Sequence, residues 1–304
     1  MKPLHKQDGI LLESGTNELE IVEFQMGQNR YGINVIKVKE IILPTPITFI
    51  PHAHPSIEGI IQLRGAVLPV INMEKVMGLP ETIGKNEGKY IVAAFNKQEV
   101  VFHVHEVAQI HRVSWDQIEK PADLYSSDAS QVIGVIKRDK DMLLLLDFEK
   151  IVVDINPESG IQVEEVRKLG LRERSNKKIL IAEDSPLLRK LLSDTLTEAG
   201  YGNIEFFENG KDALDFLESL VANGKIVSDE IQLVITDIEM PQMDGHHFTK
   251  RIRENEKLAM LPVIIFSSLI TDELKHKGVS VGANDQVSKP EIAELVLKMD
   301  QHIL

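Results

Sequence analysis

The spacing of apolar residues changes between residues 157 and 178, and this change restricts the possible folds more than any other feature. From about residue 19 to 153, apolar residues alternate with polar ones or form short runs between turn residues, which is typical of β-strands. From residue 178 onward, short apolar runs alternate with stretches whose apolar residues recur every three or four positions, which is typical of strands alternating with helices. A chain of 304 residues is long enough for two cores. We therefore predict an all-β domain over 17–156, a connecting segment over 157–177 and an α/β domain over 178–304.

The first half consists of many short strand patterns, such as LEIVEFQM at 19–26 and MLLLLDF at 142–148. Short strands separated by turn residues at this spacing favour either β-barrels or a β-sandwich. The spacing alone leaves both architectures open.

The second half contains five short apolar runs, beginning with KILIA at 178–182 and LVITD at 233–237, that alternate with five helical patterns. This alternation predicts a parallel sheet with helices on both faces. With the strand order 2-1-3-4-5, the sheet is doubly wound and flavodoxin-like, and its ligand site lies beyond the carboxyl ends of the strands.

Five reactive side chains follow the predicted strands of this sheet. Glu183 and Asp184 follow the first strand, Asp237 follows the third, Ser267 ends the fourth, and Lys289 follows the fifth. Each acid alone would be explained more simply as a helix cap or a turn residue. Chance seldom brings three acids, a hydroxyl and an ammonium to one crevice, so we predict a functional site there.

The three acids of the crevice indicate a site for magnesium (Mg²⁺). Crowded carboxylates repel one another unless a small divalent cation lies between them, and Mg²⁺ leaves positions open for water and a phosphate. Phosphoryl transfer requires that the phosphoryl group be positioned and its negative charge neutralised. Lys289 supplies a second positive charge for this neutralisation. Asp237 is then the expected nucleophile, and Ser267 the expected hydrogen-bond donor to the new phosphoryl group.

Residues 178–304 resemble a response-regulator receiver domain. The motifs that carry the resemblance are ILIAEDS, VITDIEMPQMDG, VIIFSS and VSKP, in this order. The resemblance implies that Asp237 accepts phosphate from a phosphohistidine and that Ser267 and Lys289 contact the phosphoryl group. It implies the following magnesium ligands: Asp184 directly, Asp237, the backbone carbonyl of Glu239, and Glu183 through water.

Three positions depart from the usual receiver pattern. Glu183 replaces the commoner aspartate and lengthens that side chain. Gln286 stands where many receivers have a tyrosine or phenylalanine that swings inward on phosphorylation, which argues against an aromatic switch here. The side chain of Glu239 adds a further acid beside Asp237.

Residues 19–153 resemble a CheW-type coupling domain. The resemblance rests on Gln62-Leu63-Arg64-Gly65 before Val67-Leu68-Pro69-Val70, on YGINVIKVKEII, and on IGVIKRDKDMLLLLDFEKI. It implies two small SH3-like β-barrels that bind the chemotaxis histidine kinase CheA and the cytoplasmic tips of chemoreceptors. Arg64 and Gly65 would lie in the partner interface, since a tight turn presents its arginine well and arginine is frequent at interfaces.

A coupling domain ahead of a receiver domain is the architecture of the CheV family, which the whole chain therefore resembles. This architecture implies a chemotaxis adaptor that is not an enzyme, in which phosphorylation of Asp237 modulates the coupling or draws phosphate from other receivers. An adaptor for a non-chemotactic two-component pathway is the alternative.

A zinc hydrolase is a further alternative, because His103, His105 and Glu106 lie close together in FHVHEVAQIH. Metalloprotease spacing would require a histidine at position 109, which is Gln109, and the segment has a strand pattern. We therefore expect no zinc site there.

The composition narrows the class of partner. A net charge of −13 disfavours binding to nucleic acid and to anionic membranes, and no stretch resembles a signal peptide or a spanning helix. The absence of cysteine suits a reducing compartment. We expect a cytoplasmic protein without membrane insertion, and no DNA-binding output domain, since the sequence ends soon after the last receiver helix.

Overall fold

The structure is a computed structural model, and it describes residues 17–84, 86–95, 98–119, 131–138, 141–170, 172–268 and 272–303. The chain forms two compact units. The first consists mainly of Glu18–Gln162, and the second mainly of Val163–Asp184 and Leu192–Leu304.

The described strands of the first unit form two five-stranded sheets. They are β1 (Glu18–Met26), β2 (Asn29–Asn34), β3 (Val38–Ile42), β4 (Ile57–Leu63), β5 (Ala66–Asn72), β6 (Lys89–Phe95), β7 (Gln98–Val104), β8 (Glu106–Ser114), β9 (Val132–Lys137) and β10 (Met142–Leu146). One sheet has the order β8-β1-β2-β10-β9 and the other β3-β6-β7-β5-β4. Two short helices, α1 (Met73–Val76) and α2 (Phe148–Ile155), follow β5 and β10. The predicted all-β domain is confirmed, and its two five-stranded sheets correspond to the two small β-barrels that were predicted.

Both sheets bury side chains on both faces, because the side chains of a strand point alternately to opposite sides. In β6, Ile91 belongs to a core that also contains Phe24 of β1, so the two sheets share this core. Its neighbours Tyr90 and Val92 belong to a separate core of the second sheet. Burying one such large apolar side chain contributes about 1.5–3 kcal/mol to stability. The shared core therefore joins the two sheets into one unit.

The second unit contains a five-stranded, all-parallel sheet with the order β12-β11-β13-β14-β15. Its strands are β11 (Ile179–Ala182), β12 (Ile204–Phe207), β13 (Leu233–Thr236), β14 (Val263–Ser267) and β15 (Asp285–Ser288). Its helices are α3 (Val163–Arg167), α4 (Pro186–Glu198), α5 (Gly210–Ala222), α6 (Val227–Glu230), α7 (Gly245–Glu254), α8 (Asp272–Ser280) and α9 (Ile292–His302). The predicted order 2-1-3-4-5 is confirmed. The short helix α6 was not predicted, because four residues are too few to show helical spacing.

The central strands β11 and β13 are buried along their whole length. Parallel strands with helices on both faces need apolar side chains at every position, which is why the sequence there shows continuous apolar runs and no alternation. This burial keeps water away from the sheet up to the residues where the strands end.

Part of the predicted connecting segment packs on the second unit. Val166 of α3 is buried. Arg167 Nε donates a hydrogen bond to Glu198 Oε1 at 2.9 Å, and Arg172 Nε donates to the carbonyl of Ala199 at 2.9 Å.

Among the described residues, no helix combines the length and the apolar character needed to span a membrane.

Candidate functional site

Three acids lie together at the carboxyl edge of the second sheet. Ala182 of β11 pairs with Thr236 of β13 in parallel register, so the residues that follow both strands are neighbours. The amide of Asp237 donates to the Ala182 carbonyl at 2.9 Å and fixes this arrangement. One ligand oxygen each from Glu183, Asp184 and Asp237 lies within 4.8 Å of the other two.

Lys289 lies between two of these acids. Its Nζ donates to Glu183 Oε2 at 2.8 Å and to Asp237 Oδ2 at 2.9 Å. The side chains of Lys289 and Glu183 are each 2% exposed, and that of Asp237 is 5% exposed. Asp184 is half-buried and completes the group. Three carboxylates and one ammonium leave a formal charge of −2, which a divalent cation would neutralise. The oxygen ligands suit a hard cation such as Mg²⁺.

The loop after Asp237 is held rigidly by its backbone. The amide of Ile238 donates to Asp237 Oδ1 at 2.6 Å, which fixes one oxygen of the carboxylate. Gln242 has a left-handed backbone with φ of 65°. A Cβ atom on Gly245 would lie 1.9 Å from the Asp237 carbonyl oxygen, so only glycine fits at the start of α7, where the chain passes close to Asp237. Tight packing of this loop fixes the orientation of the Asp237 carboxylate.

Ser267 and Lys289 are joined through the backbone. Ser267 ends β14 and pairs in register with Ser288 of β15. The amide of Lys289 donates to the Ser267 carbonyl at 3.0 Å, and the Ser267 side chain is buried. Glu239 lies two residues beyond Asp237 and is half-buried. In the part of the chain that the structure describes, its carboxylate is not a member of the close acidic group, and the metal role of its carbonyl stays a prediction.

Arg64 and Gly65 form the two-residue turn between β4 and β5, with φ of 49° and 91°. Positive φ at both positions matches the twist of a tight hairpin, yet it disfavours arginine. The Arg64 side chain is 79% exposed and donates to Glu40 Oε2 of β3 at 2.9 Å. The sequence predicted that Arg64 lies in the turn, but it did not predict the contact with Glu40. The two residues are 24 positions apart, and no sequence pattern connects them. Backbone strain of this kind concentrates at functional positions.

The histidine-rich strand holds its side chains in separate hydrogen bonds. His103 Nδ1 lies 3.1 Å from both carboxylate oxygens of Glu58, and its Nε2 lies 2.8 Å from the Glu87 carbonyl oxygen. His105 Nε2 lies 2.8 Å from Glu74 Oε1. Across the described ranges, the acidic group is the one set of three or more such side chains whose ligand atoms all lie within 4.8 Å of one another. The strand therefore offers no support for a zinc hydrolase.

Comparison with known proteins assigns both units. The family model of the CheW-like domain matches residues 20–156, and that of the response regulator receiver domain matches residues 179–300. The chemotaxis protein CheV3 of Helicobacter pylori is 32% identical over 283 residues, covering 88% of this chain and 89% of that relative. The chain belongs to the CheV family. CheV1 of the same organism is 28% identical over 307 residues, covering 93% of each chain.

Two solved structures are similar to single domains of this CheV-family chain. The scaffolding protein CheW of Thermoanaerobacter tengcongensis is 27% identical, covers 48% of this chain and 90% of its own, and has a TM-score of 0.40. Chemotaxis protein CheY4 of Vibrio cholerae is 29% identical, covers 43% of this chain and 100% of its own, and has a TM-score of 0.36. The CheV family assignment makes this protein a chemotaxis coupling adaptor with a receiver domain.

Proposed function

We propose that the CheW-like domain couples chemoreceptors to the histidine kinase CheA, and that phosphorylation of Asp237 in the receiver modulates this coupling. The phosphorylation half of the proposal rests on the position of Lys289, hydrogen-bonded to Asp237 and Glu183 within the acidic group. The coupling half is supported by the match of residues 20–156 to the CheW-like domain. The protein acts on no other substrate in this proposal and catalyses only its own phosphoryl transfer and dephosphorylation.

The proposed metal is Mg²⁺, and the formal charge of −2 and the oxygen ligands support it. Asp184 and Asp237 would hold it directly, Glu183 through water, and Glu239 through its backbone carbonyl. When bound, Mg²⁺ offsets the negative charge of an incoming phosphoryl group.

In the proposed transfer, Asp237 attacks the phosphorus of a phosphohistidine with one carboxylate oxygen. A P–O bond forms while the P–N bond breaks, and the electron pair leaves with the imidazole nitrogen of the donor, which takes up a proton. Lys289 already donates to Asp237 Oδ2, so it can transfer that hydrogen bond to a phosphoryl oxygen with little movement. Ser267, joined to Lys289 through the backbone, is proposed to donate to a second phosphoryl oxygen.

The proposed partner surface of the CheW-like domain surrounds the turn of Arg64 and Gly65. The Arg64 side chain is largely exposed, and the nearby strands expose the apolar residues Ile41 of β3 and Val67 of β5. An exposed arginine beside apolar side chains is typical of a protein interface. We propose CheA and receptor tips as partners and the cytoplasmic receptor array as the place of action. The net charge of −13 supports neither nucleic acid nor a membrane surface as a partner.

The experiment that tests the proposal mixes the full-length protein with radiolabelled phosphorylated CheA and Mg²⁺. We expect label on the wild type and none on Asp237→Asn, which keeps the shape of the side chain but is a poor nucleophile. Asp215→Asn serves as the matched control, because Asp215 is an exposed acid of α5. Equal label on Asp237→Asn and the wild type would refute Asp237 as the acceptor.

A further inference from the structure

Asn17 brings a side chain from the start of the chain to the receiver. It lies ahead of β1 and belongs to the second compact unit. Its Nδ2 donates a hydrogen bond of 2.9 Å to the carbonyl of Gln242, and its Oδ1 accepts one of 3.1 Å from the amide of Asp244. The two bonds join residues that are 225 and 227 positions apart in the chain, so no local pattern predicts them.

Both bonds reach the loop that follows Asp237. The side-chain amide of asparagine carries a donor and an acceptor side by side, so it can pair with a backbone carbonyl and a backbone amide at once. Gln242 is exposed and has a left-handed backbone, whereas Asp244 is buried and caps α7 by accepting a hydrogen bond from the amide of His247 at 2.8 Å. This Asn17 bridge therefore joins the strained part of the loop to its buried end.

The Asn17 bridge adds to other bonds that hold the same loop. The amide of Gly210 donates to the carbonyl of Met243 at 3.2 Å. Asn17 binds the carbonyl before Met243 and the amide after it, so three consecutive residues are held from outside the loop. At the other end of the loop, the amide of Ile238 donates to Asp237 Oδ1 at 2.6 Å. A displacement of the loop therefore changes the position of the Asp237 carboxylate.

The backbone of Asn17 allows its side chain to be tested by itself. Its φ of 53° lies in the left-handed region. Glycine adopts this region freely, and asparagine adopts it more readily than most other residues. The backbone alone would accept glycine, whereas the two hydrogen bonds need the amide. Replacement by glycine therefore removes the bridge without straining the backbone.

We propose that Asn17 is a positioning residue for phosphorylation, because its amide holds the loop 238–245 where Asp237 presents its carboxylate to a phosphoryl donor. This role rests on the proposed function of Asp237. Asn17 acts through the loop and makes no contact with the phosphoryl group in this proposal. Transfer depends on the placement of the reacting atoms to within about 1 Å, so the loss of a remote contact is enough to slow it.

The first measurement follows hydrogen exchange of the Asp244 amide by NMR in the full-length protein, without Mg²⁺ or phosphoryl donor. In Asn17→Gly this amide loses its acceptor, and we expect its exchange to be about tenfold faster. Asn203→Gly is the matched control, because Asn203 Nδ2 also donates to a backbone carbonyl of the second unit, that of Asn176, at 3.2 Å. The control should leave Asp244 at the wild-type rate. Unchanged exchange of Asp244 in Asn17→Gly would overturn the Asn17 bridge.

The second measurement is the initial rate of label uptake from radiolabelled acetyl phosphate at saturating Mg²⁺. This small donor needs no partner surface. We expect Asn17→Gly to take up label about fivefold more slowly than the wild type, and Asn203→Gly to match the wild type. A merely structural role would lower the stability towards urea and leave the labelling rate of the folded protein unchanged. That result would overturn the positioning role.

Asp237→Asn tests the proposed function separately in the same labelling assay. Equal label on this variant and the wild type would refute Asp237 as the acceptor, and the positioning role would fall with it. The exchange measurement does not depend on phosphorylation. It therefore still decides whether the Asn17 bridge exists.

Discussion

Lys289 Nζ and Asp237 Oδ2 lie 2.9 Å apart, and both side chains are buried. The same ammonium reaches Glu183 Oε2 at 2.8 Å. Lys289 therefore serves as an internal counterion that keeps two carboxylates together without a metal. It also competes with a metal for the charge of these carboxylates.

Replacing Lys289 by methionine should raise the affinity for Mg²⁺. The substitution changes the formal charge of the acidic group from −2 to −3, and we expect binding to be at least about tenfold tighter in a calorimetric titration. Transfer of label from phosphorylated CheA should fall at the same time. Lys298→Met, which removes a more exposed ammonium paired with Asp285 at 2.9 Å, should leave both measurements unchanged. Weaker Mg²⁺ binding in Lys289→Met would contradict this account.

Gly245→Ala should destabilise the second unit strongly. The added Cβ would lie 1.9 Å from the Asp237 carbonyl oxygen, and backbone atoms in this packed loop cannot move aside. We expect a loss of about 3 kcal/mol in the free energy of unfolding, measured by urea denaturation with circular dichroism. Gly202→Ala is the matched control, because a Cβ there would meet no atom within 4 Å. Equal stability of the two variants would be incompatible with the packing described here.

Arg64→Asn should separate folding from partner binding. Asparagine tolerates the left-handed backbone that Arg64 adopts, so we expect a stability equal to the wild type or higher by up to about 1 kcal/mol. Capture of CheA and receptor tips should be lost, because the exposed guanidinium is gone. Lys137→Asn, at an exposed cation of β9, should retain capture. Full capture by Arg64→Asn would show that the turn does not belong to the proposed interface. If the wild type captured only a kinase unrelated to CheA, a non-chemotactic pathway would be favoured.

The stability of the first unit should fall as pH rises above 6.5. Burial opposes the protonation of His103, but hydrogen bonds to the Glu58 carboxylate and the Glu87 carbonyl overcome it and raise its pKa from 6.5. The folded state thus binds this proton more tightly than the unfolded chain. The resulting stabilisation is complete below pH 6.5 and is lost as pH rises through the raised pKa.

Trp115 reports this effect, because it is the single tryptophan of the chain and is buried in the first unit. Urea unfolding followed by its fluorescence at several pH values should give a falling stability for the wild type. Glu58→Gln should flatten that dependence, since it removes the carboxylate that holds the proton. A wild-type stability that rises between pH 6.5 and 8 would exclude this role of His103.

The sequence was sufficient for features that follow from local spacing or from parallel strands. Glu183 and Asp237 each follow a buried strand, and neighbouring parallel strands end at the same edge, so their proximity could be predicted. The Arg64 turn was predictable from its position between two apolar runs. In contrast, the contact of Arg64 with Glu40 joins residues far apart in the chain and could not be predicted. The positive φ of Arg64 could not be predicted either, because arginine normally adopts a negative φ.

Other features depend on packing that no periodicity reveals. The charged segment before β11 resembles a solvated linker in composition, yet Val166 is buried and Arg172 binds the end of α4. Gly278 has no local signal that identifies Gln286 as its neighbour, because the two residues meet only when α8 packs on β15.

The core shared by the two sheets of the first unit, with Phe24 on β1, Phe95 on β6 and Phe148 on α2, has a mechanical consequence. Neither sheet can melt alone without exposing these rings to water. The shared core therefore couples the two sheets mechanically. A partner that binds at the Arg64 turn on one sheet also restrains the other sheet.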